Sequence, residues 1–124
     1  MERLCLVIRT APYGHLAAAE GVRHLIGAAT AGMEVTAVLV DDGIYVAKHG
    51  QDPGDTGWTS LSSALQQVLQ PDARAASRRI PVYVHTPSAE TRGVTRLDLT
   101  PGVELIDDDR LVEILAEAGG VLIF

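Results

Sequence analysis

The chain is 124 residues long, enough for one domain that buries about two thirds of the surface its unfolded form exposes. Apolar residues make up 47% and charged residues 21%, which excludes a disordered chain. A single cysteine excludes an intrachain disulfide and any metal site built on several thiolates, and a net charge of −6 argues against direct nucleic-acid binding.

Leu4–Ile8 is a short, continuous apolar run without alternation and reads as a strand buried on both faces. Arg9 cuts it off before a signal-peptide core can form, and no apolar stretch approaches the roughly 20 residues a bilayer requires. The expectation is a cytoplasmic protein without membrane association. Ala18, Val22, Leu25, Ile26 and Ala29 follow at helical spacing, with Gly32 as the stop. Gly21 and Gly27 weaken this helix by about 1 kcal/mol each, a cost offset where the helix backbone lies close to the sheet or to another subunit.

Val35–Val40 is a second buried strand ended by Asp41-Asp42-Gly43, and residues 44–49 are expected to add a short helical turn. The glycines and proline between Gly50 and Gly57 predict a mobile loop. Leu61, Leu65, Val68 and Leu69 mark one face of a helix closed by Pro71. Ile80–Val84 is a third strand, after which Thr86 reads as a helix N-cap, Pro87 as its first residue and Gly93 as its stop. Val103–Ile106 is a fourth strand. Asp107 caps the next helix, Asp108 and Asp109 complement its positive end, and Leu111, Ile114, Leu115 and Ala118 supply its buried stripe. Gly119-Gly120 ends it before a last strand, Val121–Phe124.

Five strands alternating with helices, without internal repeats, predict a single domain over residues 1–124. Its class is α/β: a three-layer α/β/α sandwich with a mainly parallel five-stranded sheet. Ligands of such sheets sit beyond the carboxyl ends of the strands. There the sequence places Thr10, Tyr13, Gly14 and His15 after the first strand, Asp41 and Asp42 after the second, His85 and Thr86 after the third and Asp107 after the fourth. The amides after Thr10 lead into a helix whose positive end suits an anion, with the His15 and His85 rings and Arg92 as further contacts. Two histidines among carboxylates also admit a metal or acid–base site, but Asp and His at strand ends serve more often as caps and loop hydrogen-bonders. His24, four residues after Glu20, reads as its surface helix partner, and His49 has no special company.

An acidic pair after the second strand, with Lys48 the sole lysine, does not match a phospho-acceptor receiver. Neither a Gly-Lys-Ser/Thr phosphate loop nor a Gly-x-Ser-x-Gly elbow is present. Charge is uneven: residues 74–96 hold five arginines against Glu90, whereas residues 98–117 hold seven acids against Arg110. The two segments read as solvated faces or as surfaces for complementary partners.

Arg9-Thr10-Ala11-Pro12-Tyr13-Gly14, then Glu20-Gly21, Asp41-Asp42-Gly43-Ile44-Tyr45, Gly50-Gln51, Arg92-Gly93 and the terminal Val121-Leu122-Ile123-Phe124 resemble the DsrE/DsrF-like sulfur-relay family, most of all its DsrF/TusC-type branch. The resemblance runs nearly end to end. It implies a small subunit of homo-oligomers, or of hetero-oligomers with DsrE-family subunits, that hand persulfide sulfur between proteins. In the sulfur-carrying members the reactive cysteine lies eight positions before the glycine of the Arg-Gly signal, which here is His85. A histidine cannot carry a persulfide, and Cys5 falls inside the first strand, where burial blocks access and raises its pKa. The expectation is a non-carrier subunit acting as an oligomeric binding or scaffold component, with no cofactor and no catalytic residue of its own. The alternative is a small-anion or nucleotide binder using the carboxyl-edge crevice, and behind it a His/Asp-dependent enzyme. An anion held by His85 would bind less tightly as pH rises through the imidazole range.

Overall fold

The computed structural model describes residues 3–54, 60–69 and 80–124. Five parallel strands, β1 (Leu4–Ile8), β2 (Val35–Leu39), β3 (Val82–His85), β4 (Glu104–Ile106) and β5 (Gly120–Ile123), form one sheet in the order β4-β3-β2-β1-β5. The chain steps outward from β1 to β4 and then returns across the whole sheet to β5. Right-handed crossovers put a connection that reverses direction on the opposite face. Accordingly α1 (Ala17–Thr30) and α2 (Leu61–Leu69) pack on one face with Leu6, Ile8, Ala37, Leu39, Val82 and Val84, while α4 (Asp108–Glu117) packs on the other with Cys5, Val7 and Val38. The α/β/α layering expected from the element order is present, with one outer layer made by a single helix among the described residues.

The runs in β1 and β2 are buried almost throughout because both faces are covered. In α1 the expected residues Ala18, Val22, Leu25 and Ala29 are buried, and Gly32 ends the helix at a φ of +76°. Gly21 lies where a methyl would stand 2.9 Å from Ile8 Cγ1 and 3.1 Å from Phe124 Cγ, so one of the two helix glycines answers to close packing. Gly27 faces open space. In α2, Leu61, Leu65, Val68 and Leu69 are all buried as their spacing requires. Pro71 and the arginines at 74, 78 and 79 lie outside the described residues, as does the loop from residue 55 to 59.

Several expectations are corrected. Strand β3 starts at Val82, because Pro81 has no N–H to give the ladder and the Ile80 N–H is spent on the Val68 carbonyl. The helical turn expected at 44–49 is a 3-10 segment that starts earlier, Asp41–Ala47. Helix α3 (Thr86–Thr91) follows β3 without a loop, so His85 rather than Thr86 is the N-cap residue and Pro87 is the second helical residue. His85 takes this place because its backbone is still extended, with φ −70° and ψ 113°. In α4 the Asp107 side chain accepts from the Arg110 N–H at 2.8 Å, as its capping role requires. The apolar stripe is only partly used: Ile114 is buried, Leu111 and Ala118 are half-buried, and Leu115 is exposed. The Gly50–Gly54 part of the expected mobile loop is tied down, since the Gln51 amide donates to the carbonyls of Tyr45, Val46 and Lys48 at 2.8–3.1 Å.

Candidate functional site at the carboxyl edge

The strands β2 and β3 end side by side, and their first residues beyond the sheet build one network. His85, at the end of β3, has both ring nitrogens occupied: Nδ1 lies 2.7 Å from Ser88 Oγ and Nε2 lies 2.6 Å from Asp108 Oδ1. Ser88 sits three residues on, in the first turn of α3, which turns its hydroxyl back toward residue 85. That hydroxyl accepts the Asp41 N–H at 2.9 Å. Its own proton is then free for Nδ1, which leaves Nε2 as the protonated nitrogen donating to Asp108; this hydrogen-bond pattern assigns the tautomer.

Asp41 is held at a φ of +50°, a left-handed conformation that costs a non-glycine residue energy. Two residues on, Gly43 lets the 3-10 segment lie close against the end of β1, since a methyl there would overlap the Ile8 carbonyl. Asp41 makes the turn into that segment, and its amide donates to Ser88 Oγ. Next to it, Arg92 Nε donates to Asp42 Oδ1 at 2.9 Å and Arg92 Nη1 to the Ser88 carbonyl at 3.2 Å. Thus Asp41, Asp42, His85, Ser88, Arg92 and Asp108 form one connected set. Thr86 adjoins it through the backbone only, and its side chain makes no hydrogen bond among the described residues.

The residues after β1 form a separate group. The Tyr13 hydroxyl donates to Gln51 Oε1 at 2.6 Å and accepts the Leu61 N–H at 3.3 Å, so Tyr13 pins the 50–54 loop to the start of α2. Gly14 takes a φ of +92°, and Gly14 and His15 are exposed. Helix α1 starts at Ala17 with Leu16 as its N-cap, six residues beyond Thr10, so the Thr10 amide is not at its amino end. Thr10 Oγ1 is buried with no hydrogen-bond partner among the described residues. The sheet reverses its strand order at β1, where such folds open a crevice. Here Phe124 occupies that place, its carbonyl accepting from Arg9 N–H at 2.8 Å and its ring 5.2 Å from His24. His24 is therefore not the partner of Glu20's carboxylate, which takes Arg23 at 2.6 Å instead; His24 Nδ1 lies 2.7 Å from the Glu20 carbonyl. His49, which has no evident partner in sequence, sets Nε2 2.6 Å from the Leu97 carbonyl.

Cys5 is fully buried in β1, and burial pushes its thiol up from the ordinary value. Among the described residues no group of three or more His, Cys, Asp or Glu side chains could hold a metal ion. No helix among them is long and apolar enough to cross a membrane.

Sequence reasoning pointed to Asp41, His85 and Arg92 separately but missed Ser88 and Asp108 as their links. The Ser88 link was accessible from the i,i+3 spacing to His85. The Asp108 link was not, because it depends on β4 lying next to β3.

The chain aligns over its full length with a protein called a TusC homolog from Vibrio parahaemolyticus, at 27% identity and 100% coverage of both. It is 28% identical to the intracellular sulfur oxidation protein DsrF of Allochromatium vinosum, covering 100% of this chain and 97% of that one. The crystal structure of the YchN protein from E. coli superposes on the complete chain with a TM-score of 0.86 at 23% identity, covering both chains in full. Residues 2–124 match the model of one family, and the chain accordingly belongs to the DsrE/DsrF-like family.

Proposed function

We propose that this protein is a non-carrier subunit of an intracellular sulfur relay, a binding or scaffolding component that assembles with copies of itself or with thiol-bearing DsrE-family subunits. The names of its TusC-type and DsrF relatives support the relay. One observation carries the non-carrier role: the ring of His85 stands where the carrier cysteine is expected and is locked by Ser88 and Asp108, while the only cysteine is buried to 0% exposure. A carrier thiol must be reachable and partly ionised. Cys5 is neither. Incubating the folded protein with polysulfide, or with a cysteine desulfurase and cysteine, should add no sulfur atom to its intact mass, whereas a DsrE-family subunit mixed with it should be labelled and co-elute with it. Sulfur recovered on Cys5 without unfolding refutes the reading.

The small-anion alternative finds support in the Thr10 hydroxyl, which is buried and has no hydrogen-bond partner among the described residues. At the other end of the edge, the Asp108 and Asp42 carboxylates already take up His85 and Arg92 and oppose an anion there. Thermal shift with thiosulfate, phosphate and nucleotides separates the readings: a Thr10→Val-sensitive shift favours the binder, and none removes it.

A further inference from the structure

Strand β4 ends the sheet on one side, and a half-open cavity of about 320 Å³ lies along it, against the 3-10 turn Arg96–Asp98. That volume lies within the range of small-molecule sites, as does a mostly apolar lining with few polar groups. Leu97, Leu99, Pro101, Val103 and Leu105 supply the apolar walls, and Arg96 and His49 are the ionisable residues. The turn is built to stay in place. Thr95 and Asp98 close a capping box, the Leu97 carbonyl accepts from His49 Nε2 at 2.6 Å, and the Asp98 carbonyl accepts from the His49 N–H at 3.0 Å. Just beyond it, the Thr100 N–H and hydroxyl both donate to the Ala47 carbonyl. So fixed, the turn holds Leu97 87% exposed at the cavity and outside both buried clusters.

The charges around the cavity leave one cation to spare. The Arg96 guanidinium has no carboxylate partner among the described residues. Asp98, two residues on, has its carboxylate taken by the Thr95 N–H at 2.8 Å and the Thr95 hydroxyl at 3.1 Å. Glu104 belongs to the other face of the sheet: it registers with Tyr83, which packs in the α4 layer, whereas Leu105 packs on the α1–α2 face. There Glu104 lines a separate cavity with Pro81 and Tyr83. Lys48, bridged to Leu99, adds positive rather than negative charge.

We propose that this cavity binds a small amphipathic carboxylate, with its apolar body among Leu97, Leu99, Val103 and Leu105 and its carboxylate on the Arg96 guanidinium. An arginine presents a planar fork that matches a carboxylate, and one unpaired arginine offsets a single negative charge. Free inorganic phosphate does not suit the site, because the apolar walls strip its water and return too few donors. A neutral apolar molecule fills the walls but leaves the arginine unused. The cavity shares no residue with the His85 network or with Thr10, so it stands or falls apart from both readings above.

The test titrates octanoate into the folded chain and follows methyl proton–carbon spectra, with octan-1-ol and inorganic phosphate as controls. Octanoate should move the Leu97, Val103 and Leu105 methyl resonances saturably, with a Kd of about 1 mM or below, as a ligand of about ten non-hydrogen atoms allows. Phosphate should move none of them. Arg96→Gln should weaken octanoate roughly tenfold, through the loss of one charge-assisted contact, and leave octan-1-ol binding unchanged. Leu97→Ser should weaken both. The two side chains are exposed, and an unchanged urea midpoint verifies that each variant folds. No saturation by about 10 mM octanoate overturns the proposal, as does equal octanoate binding by wild type and Arg96→Gln. Leu97 methyl shifts that follow protein concentration instead of octanoate also overturn it, because they put another copy of the chain in the cavity. None of these outcomes touches the non-carrier role, which the sulfur-labelling experiment tests separately.

Discussion

Replacing His85 by alanine tests whether the network at the carboxyl edge holds the fold's end together. The Ser88 side chain is buried, so deleting the ring strips its hydroxyl proton of an acceptor in a place water does not readily reach, at a cost of about 1–2 kcal/mol. The ring itself is mostly covered, its side chain 15% exposed, and its loss leaves a partial void costing about 1 kcal/mol more. Asp108 contributes little, since its side chain is 76% exposed and regains water when the ring goes. The total is about 2–3 kcal/mol, which for a chain of this size lowers the melting temperature by roughly 6–15 °C. Asp108→Asn should cost less than about 0.5 kcal/mol, because the amide oxygen still accepts from Nε2 and the contact is solvated. Urea unfolding followed by far-ultraviolet circular dichroism gives these differences, and long-range nitrogen–proton correlation spectra report the His85 tautomer. If Asp108→Asn destabilises as much as His85→Ala, or the spectra show the proton on Nδ1, the assignment of roles in the network is wrong.

Gly43→Ala should destabilise by about 2–4 kcal/mol, since its methyl must displace backbone rather than a flexible side chain, and should also disturb the Asp41 amide resonance; an unchanged urea midpoint would contradict the close approach to Ile8. Gly27→Ala should stabilise by about 0.5–1 kcal/mol, whereas Gly21→Ala, with Ile8 and Phe124 in its way, should gain nothing; equal effects would refute the packing difference between them. The Thr95 backbone and side-chain hydrogen bonds hold the Asp98 carboxyl below its ordinary pKa. A depressed carboxylate contributes stability above its ordinary pKa and loses it as pH falls through the lowered one. Acidification into that window should therefore loosen the Arg96–Asp98 turn, seen as faster Thr95 amide exchange, and a carboxyl carbon titrating at the ordinary value would disprove it.

How much of this was legible beforehand divides along local and non-local lines. The stripe in α2, the stop at Gly32 and the cap at Asp107 follow from spacing and from backbone preferences that act within one turn, and each stands where its residues put it. The resemblance carried the family because Arg9–Gly14, Asp41–Tyr45 and Gly50-Gln51 keep their order. The structure supplies a physical reason for two of these motifs: Tyr13 and Gln51 grip each other across 38 residues, and Gly43 admits the Ile8 carbonyl. What stayed hidden depends on strand order. Nothing near Asp108 in the chain announces that its carboxylate meets a ring 23 residues earlier, nor does the terminal run reveal that Phe124 fills the place where a crevice was expected. The partly wasted stripe of α4 belongs to the same class. Leu115 has helical spacing with Leu111 and Ile114, but a lone helix over a five-stranded sheet buries only the line of contact nearest the strands. Residues beside that line remain apolar and exposed, so spacing alone could not distinguish a core position from a surface one, and only the strand order shows which side of the helix meets the sheet.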